Sequence, residues 1–236
     1  MAGSPAADWL NLHIRALFVH DGRGRIVTRN ALDGARAPRF FLGRTPDGNR
    51  WRFRDDVPDA VAVQLEALCQ DEPAPPDLRQ PPLHDANYRR ILATHAPIAE
   101  AGAGPAYRFP EDLTPPGSDV VRLTEANAAL LRGGDLEPWL ADIGQSEPLM
   151  ALVRDGRAVS VCGSVRITPE AHEAGVETSA AVRGHGFAVA VVAAWARAVR
   201  ELGAEPLYST SWENTASQAV ARKLRFIPYA TDYWLA

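Results

Sequence analysis

The residues best suited to chemistry form a short glycine-rich loop, residues 183–188, with the sequence Arg-Gly-His-Gly-Phe-Ala. A strand pattern over residues 175–180 precedes this loop, and an amphipathic helix pattern over residues 186–202 follows it. The N–H groups in the first turn of a helix have no intrahelical partner, and the aligned peptide dipoles place about half a positive charge there. Because glycine has no Cβ, a phosphate could approach this backbone closely. The segment therefore predicts an anion site at a helix start.

The loop by itself does not identify the phosphate compound. A Walker loop needs a Gly-Lys pair, and the only lysine is Lys223. A dinucleotide fingerprint needs Gly-x-Gly-x-x-Gly, and only Gly184-x-Gly186 is present. A glycine-rich connector that binds nothing is the alternative interpretation, and the loop alone fits it equally well.

Two segments together resemble the GNAT superfamily of N-acetyltransferases. Residues 183–188 fit the superfamily motif Arg/Gln-x-x-Gly-x-Gly/Ala, and residues 212–226 resemble its next strand-helix segment, Asn-x-Ala-Ser-x-x-Val-Ala-x-Lys-Leu-Gly-Phe. The resemblance is close over residues 148–236 and weak over residues 107–147. It implies an α/β (α+β) fold in which a mixed, mostly antiparallel sheet is flanked by helices. Residues 1–106 carry no superfamily motif, so the chain resembles a bacterial GNAT family with an N-terminal extension.

The resemblance also implies that acetyl-CoA is the acetyl donor, and it implies which residues contact this cofactor. Backbone groups of Val176 and Thr178 would lie beside the pantetheine arm, and the amides from Gly184 to Val189 would hold the pyrophosphate. Asn214 would lie near the point where the fourth and fifth strands of the superfamily diverge. The implied cofactor-binding residues are Val176, Thr178, Arg183, Gly184, His185, Gly186, Phe187, Ala188, Val189 and Asn214.

Glu177 is the candidate general base, because it lies on the strand that leads into the loop, where GNAT enzymes often place a glutamate. Its neighbour Thr178 is expected to face the pantetheine arm. Glu177 would then point to the opposite face of the sheet, unless a bulge distorts the strand. A glutamate on a half-exposed strand with a salt-bridge partner is the alternative interpretation. Glu213 is a second candidate, and it could equally favour the start of the helix that follows it.

The sequence departs from the superfamily pattern where many members carry a tyrosine acid. That position is Ala221, and Arg225 replaces the usual glycine before Phe226. Tyr208 and Tyr229 are candidate substitutes, although either could be a core aromatic residue. The pKa of a free thiol is about 8.5, so acetyl transfer does not require a strong acid to protonate the leaving thiolate.

Other reactive residue types do not form a recognisable motif. His172-Glu173 has no second histidine at helical spacing, so no metal is expected. Ser164 is outside a Gly-x-Ser-x-Gly elbow. Cys162 alternates with apolar residues in a strand pattern and is interpreted as a packing residue.

Composition narrows the function classes. The chain has 236 residues and a formal net charge of −4, which does not suggest a nucleic-acid partner. No apolar run reaches the roughly 20 residues that span a bilayer, and residues 1–8 lack the pattern of a signal peptide. Two distant cysteines do not predict a disulfide framework. A cytoplasmic protein without a membrane partner is the expectation.

The N-terminal half predicts a small α+β unit. Residues 13–20 and 25–29 are predicted as strands, and an Asp47-Gly48 turn predicts a hairpin between residues 39–43 and 50–53. Helices are predicted over residues 57–70 and 85–95, with a loop over residues 71–82 between them. Residues 101–105, Ala-Gly-Ala-Gly-Pro, are the predicted domain boundary.

We therefore predict an N-terminal extension over residues 1–106 and an acetyltransferase domain over residues 107–236. The extension would shape the acceptor side or a homodimer interface. The predicted reaction transfers the acetyl group of acetyl-CoA to an amine of a small-molecule or peptide acceptor. The alternatives are an acyl-CoA-binding sensor of the same fold without catalysis, and transfer of a different acyl group.

Overall fold

The computed structural model describes residues 5–113 and 119–236, so residues 1–4, part of the stretch considered for a signal peptide, lie outside the described residues. The chain divides into two compact units. The first contains the chain through Tyr107 together with Ser209–Thr215 and Pro228–Ala236, and the second contains Arg108–Tyr208 and Ala216–Ile227.

The elements of the first half, in chain order, are α1 (Pro5–Leu17), β1 (Phe18–His20), β2 (Ile26–Arg29), β3 (Phe40–Thr45), β4 (Gly48–Phe53), α2 (Asp59–Asp71), α3 (Asp85–Leu92) and β5 (Ala101–Arg108). Those of the second half, with η for a 3₁₀ helix, are β6 (Val120–Arg122), η1 (Glu125–Leu131), η2 (Glu137–Asp142), β7 (Leu149–Arg154), β8 (Arg157–Ile167), β9 (Ala171–Thr178), η3 (Ala180–Val182), α4 (Phe187–Glu201), β10 (Glu205–Ser209), α5 (Thr215–Lys223) and β11 (Ile227–Leu235).

The first unit is built on a sheet in the order β4-β3-β11-β5. Strand β3 is buried on both faces, because Phe40 and Leu42 pack in one core cluster and Phe41 packs in another. The first cluster includes Leu65 of α2 and Tyr88 of α3, and the second includes residues of α1. The hairpin of β3 and β4 confirms the prediction made from the Asp-Gly turn.

The prediction of a strand over residues 13–20 is wrong for most of its length. Residues 5–17 form α1, and only residues 18–20 form a strand. The helix buries Leu10, Ile14 and Leu17 at spacings of four and three residues. His13 lies on the same helix, fully buried, with Nε2 2.8 Å from Oδ2 of Asp232. This partner is distant in sequence, so the local pattern did not reveal it.

The predicted boundary segment, residues 101–105, forms the first part of β5. Its glycines are needed for close packing within the first unit. A Cβ on Gly102 would lie 2.6 Å from the indole of Trp234, and a Cβ on Gly104 would collide with the carbonyl oxygen of Thr210. Glycine here marks close approach of neighbouring groups and not a linker.

The second unit is built on a sheet in the order β10-β9-β8-β7-β6, in which only the pairing of β10 with β9 is parallel. Helix α4 packs on one face, where the indole N–H of Trp195 donates to Ser164 Oγ at 3.0 Å. The 3₁₀ helices η1 and η2 pack on the other face, where Leu131 shares a buried cluster with Val161 and the partly buried Trp139 packs against that cluster. A mixed, mostly antiparallel sheet flanked by helices is thereby confirmed.

The unit boundary between Tyr107 and Arg108 lies next to the expected boundary at residues 106/107, yet the C-terminal residues 228–236 belong to the first unit. The strand pairing gives the reason, since β11 pairs with β3 from Thr231↔Arg44 to Leu235↔Phe40. None of the helices in the described part of the chain is long and apolar enough to cross a bilayer.

Candidate functional site

The predicted anion loop connects η3 to α4 in the second unit. Gly184 and Gly186 have φ angles of +85° and +81°, a conformation that L-residues rarely adopt, and a Cβ on either would meet no atom within 4 Å. Gly186 is the N-cap of α4, and the first turn of this helix contains no acidic residue. The backbone at the helix start is therefore open to an anion and carries the positive end of the helix dipole.

The side chains of the loop fold back onto the loop itself. His185 Nδ1 lies 3.1 Å from the carbonyl oxygen of Val182 and 3.2 Å from that of Arg183, so its partners assign the proton to Nδ1. The ring of His185 stacks on Phe187 with a centroid distance of 5.6 Å. The guanidinium of Arg154, on β7, lies 5.5 Å from the centroid of the Phe187 ring. These contacts leave the amides, and not the histidine, as the main donors of the loop.

The edge of β9 that precedes the loop is only partly paired. Strand β10 pairs with β9 from Glu205↔Ala171 to Leu207↔Glu173, whereas β9 continues to Thr178. In the part of the chain that the structure describes, the recorded parallel pairing thus ends before residues 174–178.

A hydrogen bond just after the end of β9 shows which way the backbone groups of this strand point. The N–H of Ser179 donates to the carbonyl of Val159 on β8 at 3.0 Å. Because strand residues alternate in direction, the backbone groups of Glu177 face β8 and those of Val176 and Thr178 face away from it. The carbonyl oxygen of Thr178 accepts a hydrogen bond from Arg183 Nε at 3.3 Å. Arg183 therefore connects the loop to the end of the strand.

Glu177 lies on the sheet face that carries the 3₁₀ helices. It pairs with Val161, and directly opposed residues of an antiparallel pair share a face. Its exposed carboxylate accepts a hydrogen bond from the indole N–H of Trp139, on η2, with 2.7 Å between Nε1 and Oε2. Thr178 pairs with Ser160 on the opposite face, and their hydroxyl oxygens lie 2.8 Å apart.

The bulge considered for Glu177 lies elsewhere. The register of β8 and β9 shifts between Ser164 and Arg166, next to Glu173 and Ala174. Glu177 thus points to the face opposite Thr178 in regular strand geometry. Sequence reasoning placed Glu177 on the correct strand but did not anticipate Trp139, which is 38 residues away along the chain.

Asp135 is a second residue that sequence reasoning missed. Its carboxylate accepts a hydrogen bond from the backbone N–H of Ala180 at 2.8 Å, at the start of η3. That N–H, followed by the hydroxyl of Ser179, holds the pKa of Asp135 below its ordinary value, with a smaller contribution from the charge of Arg183. An aspartate before a turn is common in sequences, so no local signal distinguished it.

The residues considered for the missing acid lie in packed surroundings. Ala221 and Tyr208 are buried in the second unit, and the hydroxyl of Tyr208 lies 2.7 Å from Ser217 Oγ. Tyr229 is buried in the core cluster of the first unit. Glu213 and Asn214 are exposed in the segment that precedes α5, and this segment belongs to the first unit.

Arg225 adopts the left-handed conformation, with φ of +55°, at the position where the superfamily has glycine. Two hydrogen bonds end the helix there: Phe226 N–H donates to the carbonyl of Ala221 at 2.9 Å, and Arg225 N–H donates to that of Arg222 at 3.1 Å. This is a Schellman motif, whose left-handed position favours glycine. Arginine in place of glycine therefore raises the conformational free energy of this turn but leaves its geometry unchanged.

The remaining reactive residue types are structural. His172 Nδ1 lies 2.9 Å from Ser164 Oγ, and burial lowers the pKa of His172. Cys162 is fully buried, and burial raises the pKa of its thiol. Within residues 5–113 and 119–236, no group of three or more histidine, cysteine, aspartate or glutamate residues could hold a metal ion.

Residues 150–233 match the family model described as GNAT acetyltransferase. A comparison with curated proteins finds no match. Among solved structures, a GCN5-related N-acetyltransferase from Kribbella flavida is similar, with 17% identity over 99% of this chain and 96% of that chain, and a TM-score of 0.49. A GCN5-related N-acetyltransferase-like protein from Streptococcus suis has 14% identity over 85% of each chain and a TM-score of 0.48.

A GNAT-family protein from Novosphingobium aromaticivorans has 17% identity and a TM-score of 0.47, over 58% of this chain and 65% of that chain. The present chain thus spans just under two thirds of that protein's length. All three TM-scores are below 0.5. The similarity to the GNAT acetyltransferase family is therefore that of residues 150–233, which contain β9, the anion loop and α4 and cover about a third of the chain.

Proposed function

We propose that this protein is an N-acetyltransferase that moves the acetyl group of acetyl-CoA to an amine of a small-molecule or peptide acceptor. The observation that carries the proposal is the junction of β9, the loop and α4. There, two glycines with positive φ lie in open space at the start of a helix without acidic residues in its first turn. Such a junction favours a phosphate group over other ligands.

The backbone of this junction offers hydrogen-bonding groups that suit the phosphates and the amide-bearing arm of the cofactor. The amides from Gly184 to Val189 would hold the pyrophosphate, and the β9 backbone groups of Val176 and Thr178 would hydrogen-bond the pantetheine arm. Arg183, now bonded to the Thr178 carbonyl, lies where a guanidinium could also contact a phosphate oxygen. Bound acetyl-CoA would supply the acetyl group as a thioester. Asn214 is also proposed to contact the cofactor.

Glu177 is proposed as the general base. The acceptor amine attacks the thioester carbon as its nitrogen loses a proton, and the C–S bond breaks as the C–N bond forms. The carboxylate of Glu177 would take the proton, directly or through a water molecule. The hydrogen bond from Trp139 fixes one carboxylate oxygen and leaves the other for the proton. The released thiolate needs only a solvent proton, which is consistent with Ala221 at the usual tyrosine position.

Release of free CoA thiol tests the proposal most simply. Purified protein is incubated with acetyl-CoA and a panel of primary amines that includes amino acids, polyamines, aminoglycosides and peptides with a free N-terminus. We expect thiol release that depends on at least one amine and a product heavier than the acceptor by one acetyl group. Binding of acetyl-CoA without turnover of any amine would instead favour a sensor.

A further inference from the structure

A cavity of about 330 Å³ lies within the first unit, apart from the anion loop in sequence. Strands β3, β5 and β11, helix α3 and the segments around residues 79–82 and 212–213 form its walls. Its volume is at the lower end of the range for small-molecule sites. The small residues 101–103 of β5 leave room on one side, and the indole of Trp212 forms another wall.

Charged side chains of both signs line this cavity. Arg89 Nε lies 2.9 and 3.1 Å from the two carboxylate oxygens of Asp85, and the hydroxyl of Tyr233 donates to the same carboxylate at 2.5 Å. These bonds fix the orientation of Asp85. Also in the lining, the guanidinium of Arg79 lies 4.5 Å from the centroid of the Trp212 ring, and the exposed Glu213 follows Trp212 in the chain.

Arg44 adds a buried cation to the cavity lining. Its side chain is only 3% exposed, and its two terminal nitrogens bond the carbonyl of Gln80 at 2.6 Å and approach Glu72 Oε1 at 3.4 Å. Its Nε is buried without a hydrogen-bond partner among the described residues. Gln80 and Glu72 hold this guanidinium at the cavity wall, where its positive charge favours an anionic group of a ligand.

We infer that this cavity binds a small molecule that carries both a carboxylate and an amine, of the amino acid class. The carboxylate would face Arg79 and Arg44, and the amine would face Glu213 and Asp85. A polyamine would bring further positive charge to the guanidinium of Arg79, and a dicarboxylate would bring further negative charge to Asp85 and Glu213. This inference rests on the proposed function only where it treats the ligand as the acetyl acceptor.

The direct test measures ligand binding to the full chain. The melting temperature is recorded with pools of the twenty common amino acids and with each member of any active pool, and affinity is then measured by calorimetry. Succinate, which has no amine, and putrescine, which has no carboxylate, are the comparison ligands. We expect at least one amino acid to bind at millimolar concentration or below, and both comparison ligands to bind at least tenfold more weakly.

Variants connect the binding to the cavity. We expect Arg79→Gln and Glu213→Gln each to weaken amino acid binding roughly ten- to a hundredfold, because each removes a charge-assisted contact. Arg90→Gln is the matched control, since Arg90 is exposed on α3 next to Arg89 and does not line the cavity. The inference is overturned if no amino acid binds, if succinate or putrescine binds as tightly, or if both cavity variants bind like the wild type.

Thiol release distinguishes this inference from the proposed function. If the bound amino acid triggers release of the CoA thiol, it is the acetyl acceptor. If it binds without thiol release while another amine is acetylated, it is a regulatory ligand of the same chemistry. If amino acid binding depends on Arg79 but the protein does not bind acetyl-CoA, the cavity assignment stands and the proposed function is contradicted. Acetylation of amines without a carboxylate, with no amino acid bound, contradicts the cavity assignment alone.

Discussion

The indole N–H of Trp139 donates a hydrogen bond to the carboxylate of Glu177 over 2.7 Å. The bond links η2 to the end of β9, which η3 connects to the anion loop. A donor on the 3₁₀ helix therefore fixes the orientation of the proposed base without neutralising it. Each partner can be changed to an isostere or a close analogue, so the contact can be examined by substitution.

We expect Glu177→Gln to lower kcat by roughly 10²–10⁴-fold, the usual contribution of a general base, while the affinity for acetyl-CoA stays unchanged. The loss should become smaller as the pH rises, because more of the acceptor amine is then already deprotonated. Steady-state kinetics from pH 6 to 10 and a parallel calorimetric titration would measure both effects. An unchanged kcat at neutral pH would move the base elsewhere, with Glu213 as the next candidate.

We expect Trp139→Phe to lower kcat roughly tenfold, because it removes a hydrogen bond to a charged group while keeping an aromatic ring in the core cluster. If Trp139 acts by positioning Glu177, the same substitution in the Glu177→Gln background should have little further effect. A double-mutant cycle on kcat would measure this coupling. Full additivity of the two losses would show that Trp139 acts through packing alone.

We expect Gly186→Glu to weaken acetyl-CoA binding by roughly a hundredfold or more, because a negative side chain would stand against the amides that hold the pyrophosphate. Gly203→Glu is the matched control, since Gly203 has the same φ of +81° and the same open surroundings near the other end of α4. Both variants should lose similar stability on thermal unfolding. Equal cofactor affinity in the two variants would contradict the role of the loop.

The local parts of the fold could be predicted from the sequence, because turns and amphipathic helices are specified by nearby residues. The Asp47-Gly48 hairpin and the helix after the anion loop are examples. Helix α1 was missed because the helical stripe from Leu10 to Leu17 includes a histidine whose acid partner, Asp232, is far along the chain. The same limit applies to the candidate site, where the loop was evident and Trp139 was not.

We expect Arg225→Gly to raise the free energy of unfolding by about 1 kcal/mol, because glycine adopts the left-handed conformation without the steric cost that an L-residue carries. Denaturant unfolding would measure the change. Arg197→Gly is the comparison variant, since Arg197 is exposed within α4, where glycine costs about 1 kcal/mol. Equal destabilisation of both variants would contradict this account of the turn.

We expect neither cysteine to react with a thiol reagent in the native protein at pH 8. Burial raises the pKa of Cys69 to about 12 and also raises that of Cys162, so the reactive thiolate is scarce at both positions. Side-chain accessibility acts in the same direction, since Cys69 is 2% exposed and Cys162 is 0% exposed. Absorbance with 5,5′-dithiobis(2-nitrobenzoate) should show no fast-reacting thiol until denaturant is added. A thiol that reacts within seconds would contradict this burial and would also add background to the CoA-release assay.

The most direct measurement of the central claim is a calorimetric titration of the wild-type protein with acetyl-CoA. We predict one binding site per chain, with an affinity tighter than millimolar and a melting temperature that rises with cofactor concentration by mass action. The Gly186→Glu variant in the same cell should give no comparable heat. The absence of binding by the wild type at millimolar acetyl-CoA would contradict the assignment of residues 183–189 as a pyrophosphate site, and with it the proposed acetyltransferase.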